Sequence, residues 1–239
     1  MNVLAIGNSF SEDATRYLHN IARADGENIQ VVSLYIGGCS LERHYRNMLS
    51  GKDVYELQYN GEKTGFYVSL EDALLNRNWD VITLQQASLL SFVKDSYEPY
   101  ISSLVAFVKD CVPKAKIYFH QTWAYEDGSH KLLNQAKYES AENMLKDIVN
   151  VSKDIAEGIG ADGIIRGGET LGLLSQKGIT GIHRDTFHAS LGLGRYALGL
   201  IWYRTLTGRS VITNSFCDLD EPVSEDIIRV VKESVESLF

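Results

Sequence analysis

The sequence predicts an α/β fold, a parallel sheet with helices packed on both faces. Three observations carry this. Short apolar runs of strand length alternate with amphipathic helical patterns, five times over. The runs lack the polar alternation of a sheet with one wet face, as expected for strands buried on both sides. The chain has 239 residues, 44% of them hydrophobic, enough for one sizeable core and a single domain over 1–239. With three prolines and no Ser/Gly-rich stretch, no linker divides it.

Val3-Leu4-Ala5-Ile6 is the first strand. Gly7 permits a sharp turn that a Cβ would obstruct. Ser9 follows, and Glu12 and Asp13 mark the acidic start of a helix over 11–25. Ile29 to Ile36 is a second strand, ending in Gly37-Gly38-Cys39-Ser40, a loop able to bring bare N–H groups to a ligand. A short helix spans 41–49. Residues 55–68 alternate around Asn60-Gly61, a strong hairpin signal. This hairpin reads as an insertion packed over one end of the sheet. A helix over 69–77 leads to the third strand, Asp80 to Leu84, which ends in Gln85-Gln86. A helix over 97–110 leads to the fourth, Lys116 to Phe119, which runs into His120-Gln121-Thr122-Trp123-Ala124-Tyr125. One long helix is expected over 131–157. The fifth strand, Gly163 to Arg166, precedes a helical piece near 169–176 and a polar loop, His183-Arg184-Asp185-Thr186-Phe187-His188. Helices over 190–206 and 223–238 complete the chain.

Right-handed crossovers and five strands favour the order 2-1-3-4-5. The expected architecture is thus a flavodoxin-like three-layer α/β/α sandwich with a five-stranded parallel sheet and an inserted hairpin. In that order the ends of strands 2, 1 and 3 are neighbours, about 4.8 Å apart per step. Gly38, Ser9 and the Gln85-Gln86 pair then fall side by side at the edge where ligands of open α/β sheets bind.

A serine hydroxyl needs a base to take its proton and a pocket for the developing oxyanion. Histidine is the usual base, and a carboxylate fixes its tautomer. Asp185-x-x-His188 supplies both within one turn. The loop after strand 5 is long enough to reach back over the sheet edge to Ser9.

The same letters have plainer readings. Ser9-x-x-Glu12 is a capping box in which Ser9 is only an N-cap. Asp185 can cap a following helix, and His188 can be a surface histidine. His183-x-Asp185-x-x-His188 has metal-ligand character, but no second ligand set accompanies it. His120 reads as a satisfied, partly buried histidine rather than a second base. Cys39 reads as a small buried residue, with no histidine placed to make it a thiolate nucleophile.

Gly-Asn-Ser near the start, a glycine after strand 2, a polar pair after strand 3 and a late Asp-x-x-His together resemble the SGNH (GDSL-type) hydrolase superfamily. The resemblance spans nearly the whole chain in block order. It implies Ser9 as nucleophile, Gly38 as a backbone oxyanion donor, Asp185 as orienting acid and His188 as base. Gln85-Gln86 stands where the family has Gly-x-Asn-Asp, and a glutamine amide is a reasonable substitute donor. Alternation puts the two glutamines on opposite faces, so only one can aim at the intermediate, Gln86 being slightly favoured. Asn8 and Trp123 are further candidates at this edge for oxyanion or substrate binding. Trp123 and Tyr125 can stack on a sugar ring or pack against the hairpin.

The implied activity is a serine esterase for small acyl esters, above all O-acetyl groups on carbohydrate, with no metal or organic cofactor. The alternative is a catalytically silent α/β module that binds a sugar or similar small ligand at the same edge. It lacks GxGxxG and the P-loop pattern, which weakens a nucleotide version. The net charge of −8 argues against nucleic-acid and anionic-membrane partners. No apolar run is long enough to span a membrane. Three scattered cysteines without CxxC suit free thiols. If Met1 is the natural start, these features place the protein in the cytoplasm.

Overall fold

The computed structural model describes all residues, Met1–Phe239. Its centre is a seven-stranded sheet built from β1 (Asn2–Gly7), β2 (Gln30–Tyr35), β3 (Tyr55–Tyr59), β4 (Glu62–Val68), β5 (Val81–Leu84), β6 (Lys116–His120) and β7 (Gly163–Ile165). The strand order is β4-β3-β2-β1-β5-β6-β7. The five strands β2-β1-β5-β6-β7 are parallel and stand in the expected order.

The hairpin corrects the strand count. It does not lie over an end of the sheet. It extends the sheet, with β3 antiparallel to β2 through pairs from Val32↔Tyr59 to Tyr35↔Glu56. The reason is the edge of β2, whose backbone N–H and C=O groups would otherwise lack partners. Asn60 and Gly61, at φ 51° and 87°, make the tight turn their sequence promised.

The helices are α1 (Ser9–Thr15), α2 (Leu18–Ala24), α3 (Leu41–Ser50), α4 (Leu70–Leu75), α5 (Tyr100–Cys111), α6 (Ala141–Gly158), α7 (Gly167–Gln176), α8 (Leu193–Thr207) and α9 (Glu225–Glu236). They form two layers around the sheet. Alternation along β1 sorts its side chains: Val3 and Ala5 join a core with α1, α2 and α8, while Leu4 and Ile6 join a core with α3, α4 and α5. Every one of these four β1 side chains is fully buried.

Two helices are shorter than their periodicity suggests. The 11–25 pattern divides at Arg16-Tyr17, where the Tyr17 hydroxyl donates to Leu191 O and accepts from Asp220 N–H. The 131–157 pattern divides into a π-helical turn, Lys131–Ala136, and α6. Between them Lys137 adopts φ 62°, and the Ser140 hydroxyl caps α6 by accepting from Asn143 N–H. No helix is long and apolar enough to cross a membrane.

Candidate active site

Ser9 is the first residue of α1, directly beyond the carboxyl end of β1. The N-cap is not Ser9 but Asn8, whose Oδ1 accepts from Phe10 N–H at 3.0 Å. This leaves the Ser9 hydroxyl free of capping duty. It lies 2.8 Å from Nε2 of His188. The other ring nitrogen, Nδ1, lies 2.7 Å from Asp185 Oδ2, and the second Asp185 oxygen accepts from His188 N–H at 2.8 Å. A carboxylate can only accept here, so Nδ1 carries the proton and Nε2 is the bare nitrogen facing the hydroxyl. Ser9, His188 and Asp185 are therefore brought together as one relay.

Burial alone would raise the Asp185 carboxyl, but hydrogen bonds from the His188 ring and from the His188 and Phe187 backbones hold it below the usual carboxylate range. It stays ionised at neutral pH, as a tautomer-fixing group must.

Asn8 and the two glutamines are placed differently from what their positions suggested. All three are buried, both glutamines completely. Asn8 Nδ2 donates to Cys39 O at 3.0 Å. Gln85 Nε2 donates to Asn8 Oδ1, while its Oε1 accepts from Ser11 Oγ at 2.7 Å and from His120 Nδ1 at 2.6 Å. Gln86 Oε1 accepts from Leu41 N–H, and its Nε2 donates to Ser96 O and Oγ. The alternation expectation was right that the two point apart, but both are enclosed and neither hydrogen-bonds to Ser9. Their hydrogen-bonding capacity goes into holding the strand ends.

Two backbone donors remain available. Neither the Ser9 nor the Gly38 N–H has an acceptor in the protein. The Asn8–Cys39 bond draws the loop after β2, with Gly38 at its exposed tip, against the start of α1.

Trp123 also departs from expectation. It is fully buried, stacked on Phe10 with ring centroids 3.9 Å apart, and its Nε1 donates to Phe187 O at 2.8 Å. A ring so enclosed is no platform for a sugar, and the rings it meets, Phe10 and His120, come from α1 and β6 rather than from the hairpin. Its work is to hold the segment that carries His188. Tyr125 is likewise buried, its hydroxyl donating to Ser88 Oγ.

His120 is more buried than expected. Its Nε2 has no partner, and burial pushes the imidazole down to about 3. It is neutral at ordinary pH and out of reach as a second base. Burial also pushes the Cys39 thiol up to about 12, which removes a thiolate nucleophile.

Several neighbours were not singled out from the sequence. Phe187 packs on the His188 ring with centroids 3.9 Å apart, and the Lys131 ammonium sits 3.3 Å from the Phe187 centroid. Ser11 and Asp13 face inward from α1. Asp13 had the ordinary signature of a helix-start acid, and no local pattern distinguishes a buried one.

Comparison with known proteins agrees with this architecture. The chain is 32% identical to a DUF4886 family protein from Bacteroides uniformis, with a TM-score of 0.91 over 99% of this chain and 93% of that one. A candidate SGNH hydrolase from Slackia heliotrinireducens aligns with a TM-score of 0.60 at 20% identity, covering 86% of this chain and 98% of that one. An acetylxylan esterase from Geobacillus stearothermophilus aligns with a TM-score of 0.53 at 16% identity, covering 86% and 91%. The fold is therefore the three-layer fold of SGNH hydrolases. No curated protein matches the chain in sequence. The family model for DUF4886, a domain of unknown function, matches residues 2–235, and the chain belongs to that family.

Proposed function

We propose that this protein is a serine esterase of the SGNH type that removes small acyl groups, O-acetyl groups on carbohydrate in the first instance. The observation that carries the reading is the continuous Asp185–His188–Ser9 relay, with links of 2.7 and 2.8 Å. In this reading His188 Nε2 takes the Ser9 proton as Oγ attacks the ester carbonyl. Asp185 remains ionised and stabilises the imidazolium. The N–H groups of Ser9 and Gly38 receive the oxyanion. His188 then protonates the leaving alcohol oxygen, and water, activated by the same nitrogen, releases the acyl group from Ser9.

The oxyanion pocket in this reading is made of backbone, without the glutamine amide first expected to complete it. The acetyl-carbohydrate preference is supported by the likeness in fold to an acetylxylan esterase. Hydrolysis of p-nitrophenyl acetate tests the reaction class. Ser9→Ala is expected to lower kcat by more than about 1000-fold, since members of such a relay act as a unit. Equal rates for the two proteins would remove the nucleophile assignment and favour a binding module. Acetate release from a panel of acetylated sugars tests the substrate class.

A further inference from the structure

Asp13 is fully buried, yet it is a carboxylate in the wall of a core. Such a group persists only where it is paired and hydrogen-bonded. Its partners are specific. Arg184 Nη1 donates to Oδ1 and Oδ2 at 2.9 and 3.0 Å, Arg195 Nε donates to Oδ1 at 2.9 Å, and Ala189 N–H donates to Oδ2 at 3.2 Å. Burial raises the carboxyl's pKa, and the Arg195 and Arg184 guanidiniums act against that.

Two of those partners bracket the acid and the base. Arg184 immediately precedes Asp185, and Ala189 immediately follows His188. The same Arg184 Nη1 also donates to Ala189 O, Arg184 N–H donates to His188 O at 3.0 Å, and His183 bridges Ala189. The segment 184–189 is thus a closed loop gripped at its base. Asp13 grips it from α1, four residues after Ser9 and so on the same side of that helix. One carboxylate thereby ties both ends of the loop bearing His188 to the helix bearing Ser9.

We infer that Asp13 is a positioning residue which, through Arg184 and Ala189, sets the separation between the Ser9 hydroxyl and the His188 imidazole. It touches no reacting atom. The inference rests on the serine-esterase reading for its effect on turnover. Its support extends outward, because Arg195 also donates to Asp220 at 3.1 Å, and Asp220 pairs with Arg16 at 2.7 Å. The grip is therefore braced against the segment before α9 and the end of α1.

The test uses Asp13→Asn, which keeps the shape but removes the charge, and Arg184→Lys, which keeps the charge but loses the planar fork. Both are assayed well below their own unfolding midpoints, so that loss of folded protein does not enter. Kcat on p-nitrophenyl acetate, and the rate at which a fluorophosphonate modifies Ser9, should each fall at least about tenfold. That is within the cost of misplacing reacting groups by a fraction of an ångström to an ångström. KM should stay within about twofold, a split that general loosening of the fold would not give. Backbone hydrogen exchange over 185–189, which needs no turnover, should quicken in Asp13→Asn. Folded variants of both kinds with unchanged kcat and unchanged Ser9 modification would overturn the inference. So would unaltered exchange over 185–189. Ser9→Ala retaining full hydrolysis would sink the esterase reading instead, while the exchange experiment would still decide whether Asp13 holds the loop.

Discussion

Gln85 shows how a single residue can matter to a site without facing it. Its amide joins Asn8, Ser11 and His120, three side chains that approach the Ser9 turn from the cap of α1, from α1 itself and from β6. Because Gln85 Oε1 accepts from His120 Nδ1, that nitrogen bears the proton, and the imidazole's tautomer is set by the glutamine. Gln85→Leu would keep most of the volume but strand the Ser11 hydroxyl and the His120 N–H, each fully buried. An orphaned buried donor costs about 1–3 kcal/mol. The expected loss is therefore at least about 2 kcal/mol, read from urea unfolding. A variant as stable as the parent would mean that water or a rearranged rotamer takes over. The residues that do face the hydroxyl, His188 with Asp185 behind it, could be located from their spacing. Asn8, Gln85, Gln86 and Trp123 could not, because a side chain at a strand end has an open direction and a closed one. Which it takes depends on partners such as Ser96, Cys39 and Phe10 that are remote in the chain or unmarked by any pattern.

At the scale of elements, the β3–β4 hairpin is the instructive case. Its Asn60-Gly61 turn was legible because few residues tolerate two successive left-handed conformations. Its place on the edge of β2 was not, since alternation says that a strand has two faces but not which neighbour it pairs with. The turn docks on the break between α1 and α2. Gly61 O accepts from Arg16 Nη1 at 3.0 Å, and a Cβ at Gly61 would lie 2.2 Å from Arg16 O. Gly61→Ala thus combines a φ of 87° with a backbone collision. It should destabilise by more than about 1 kcal/mol, the most that a compatible Gly→Ala replacement would add in stability. Denaturant unfolding checks this; an unchanged midpoint with unchanged slope would show that the turn can lift away freely. The two divided helices teach the same lesson from the other side. No glycine or proline marks the break at Arg16-Tyr17, so only the tertiary anchors of those two side chains explain it. The break before α6 did carry a signal, the capping residue Ser140, which the longer hydrophobic periodicity overrode.

Across the whole molecule, one chain of charges links parts that are distant in sequence. Glu62 pairs with Arg16, Arg16 with Asp220, Asp220 with Arg195, Arg195 with Asp13 and Asp13 with Arg184. It runs from the hairpin, past the end of α1 and the start of α8, to the loop of His188. Asp220 is the middle carboxylate of this chain, between Arg16 and Arg195, held below its usual range first by the Arg16 hydrogen bond. A carboxyl depressed in the folded state stabilises above its ordinary pKa of 3.8, and that contribution is lost as pH falls through the lower folded value. Asp220→Asn should therefore lower the thermal midpoint near pH 7. The gap from the parent should narrow once the pH drops below about 4 and close further down. A gap of constant size across that range would mean the pairing is not what Asp220 contributes.

Sequence alone determined what depends on local chemistry and on counting. Strand and helix periods gave the parallel order of five strands, and that order placed Ser9, Gly38 and the glutamines at one edge. The Asp-x-x-His spacing located a hydrogen-bonded pair within a single turn. Tertiary structure alone decided what depends on closure: that the hairpin completes the sheet, that the polar amides at the edge turn inward, and that Asp13 is buried against two arginines. The physical reason is that a period or a short spacing is a property of neighbouring residues. A buried polar group's direction, by contrast, is settled by whichever distant donors and acceptors the finished core leaves it.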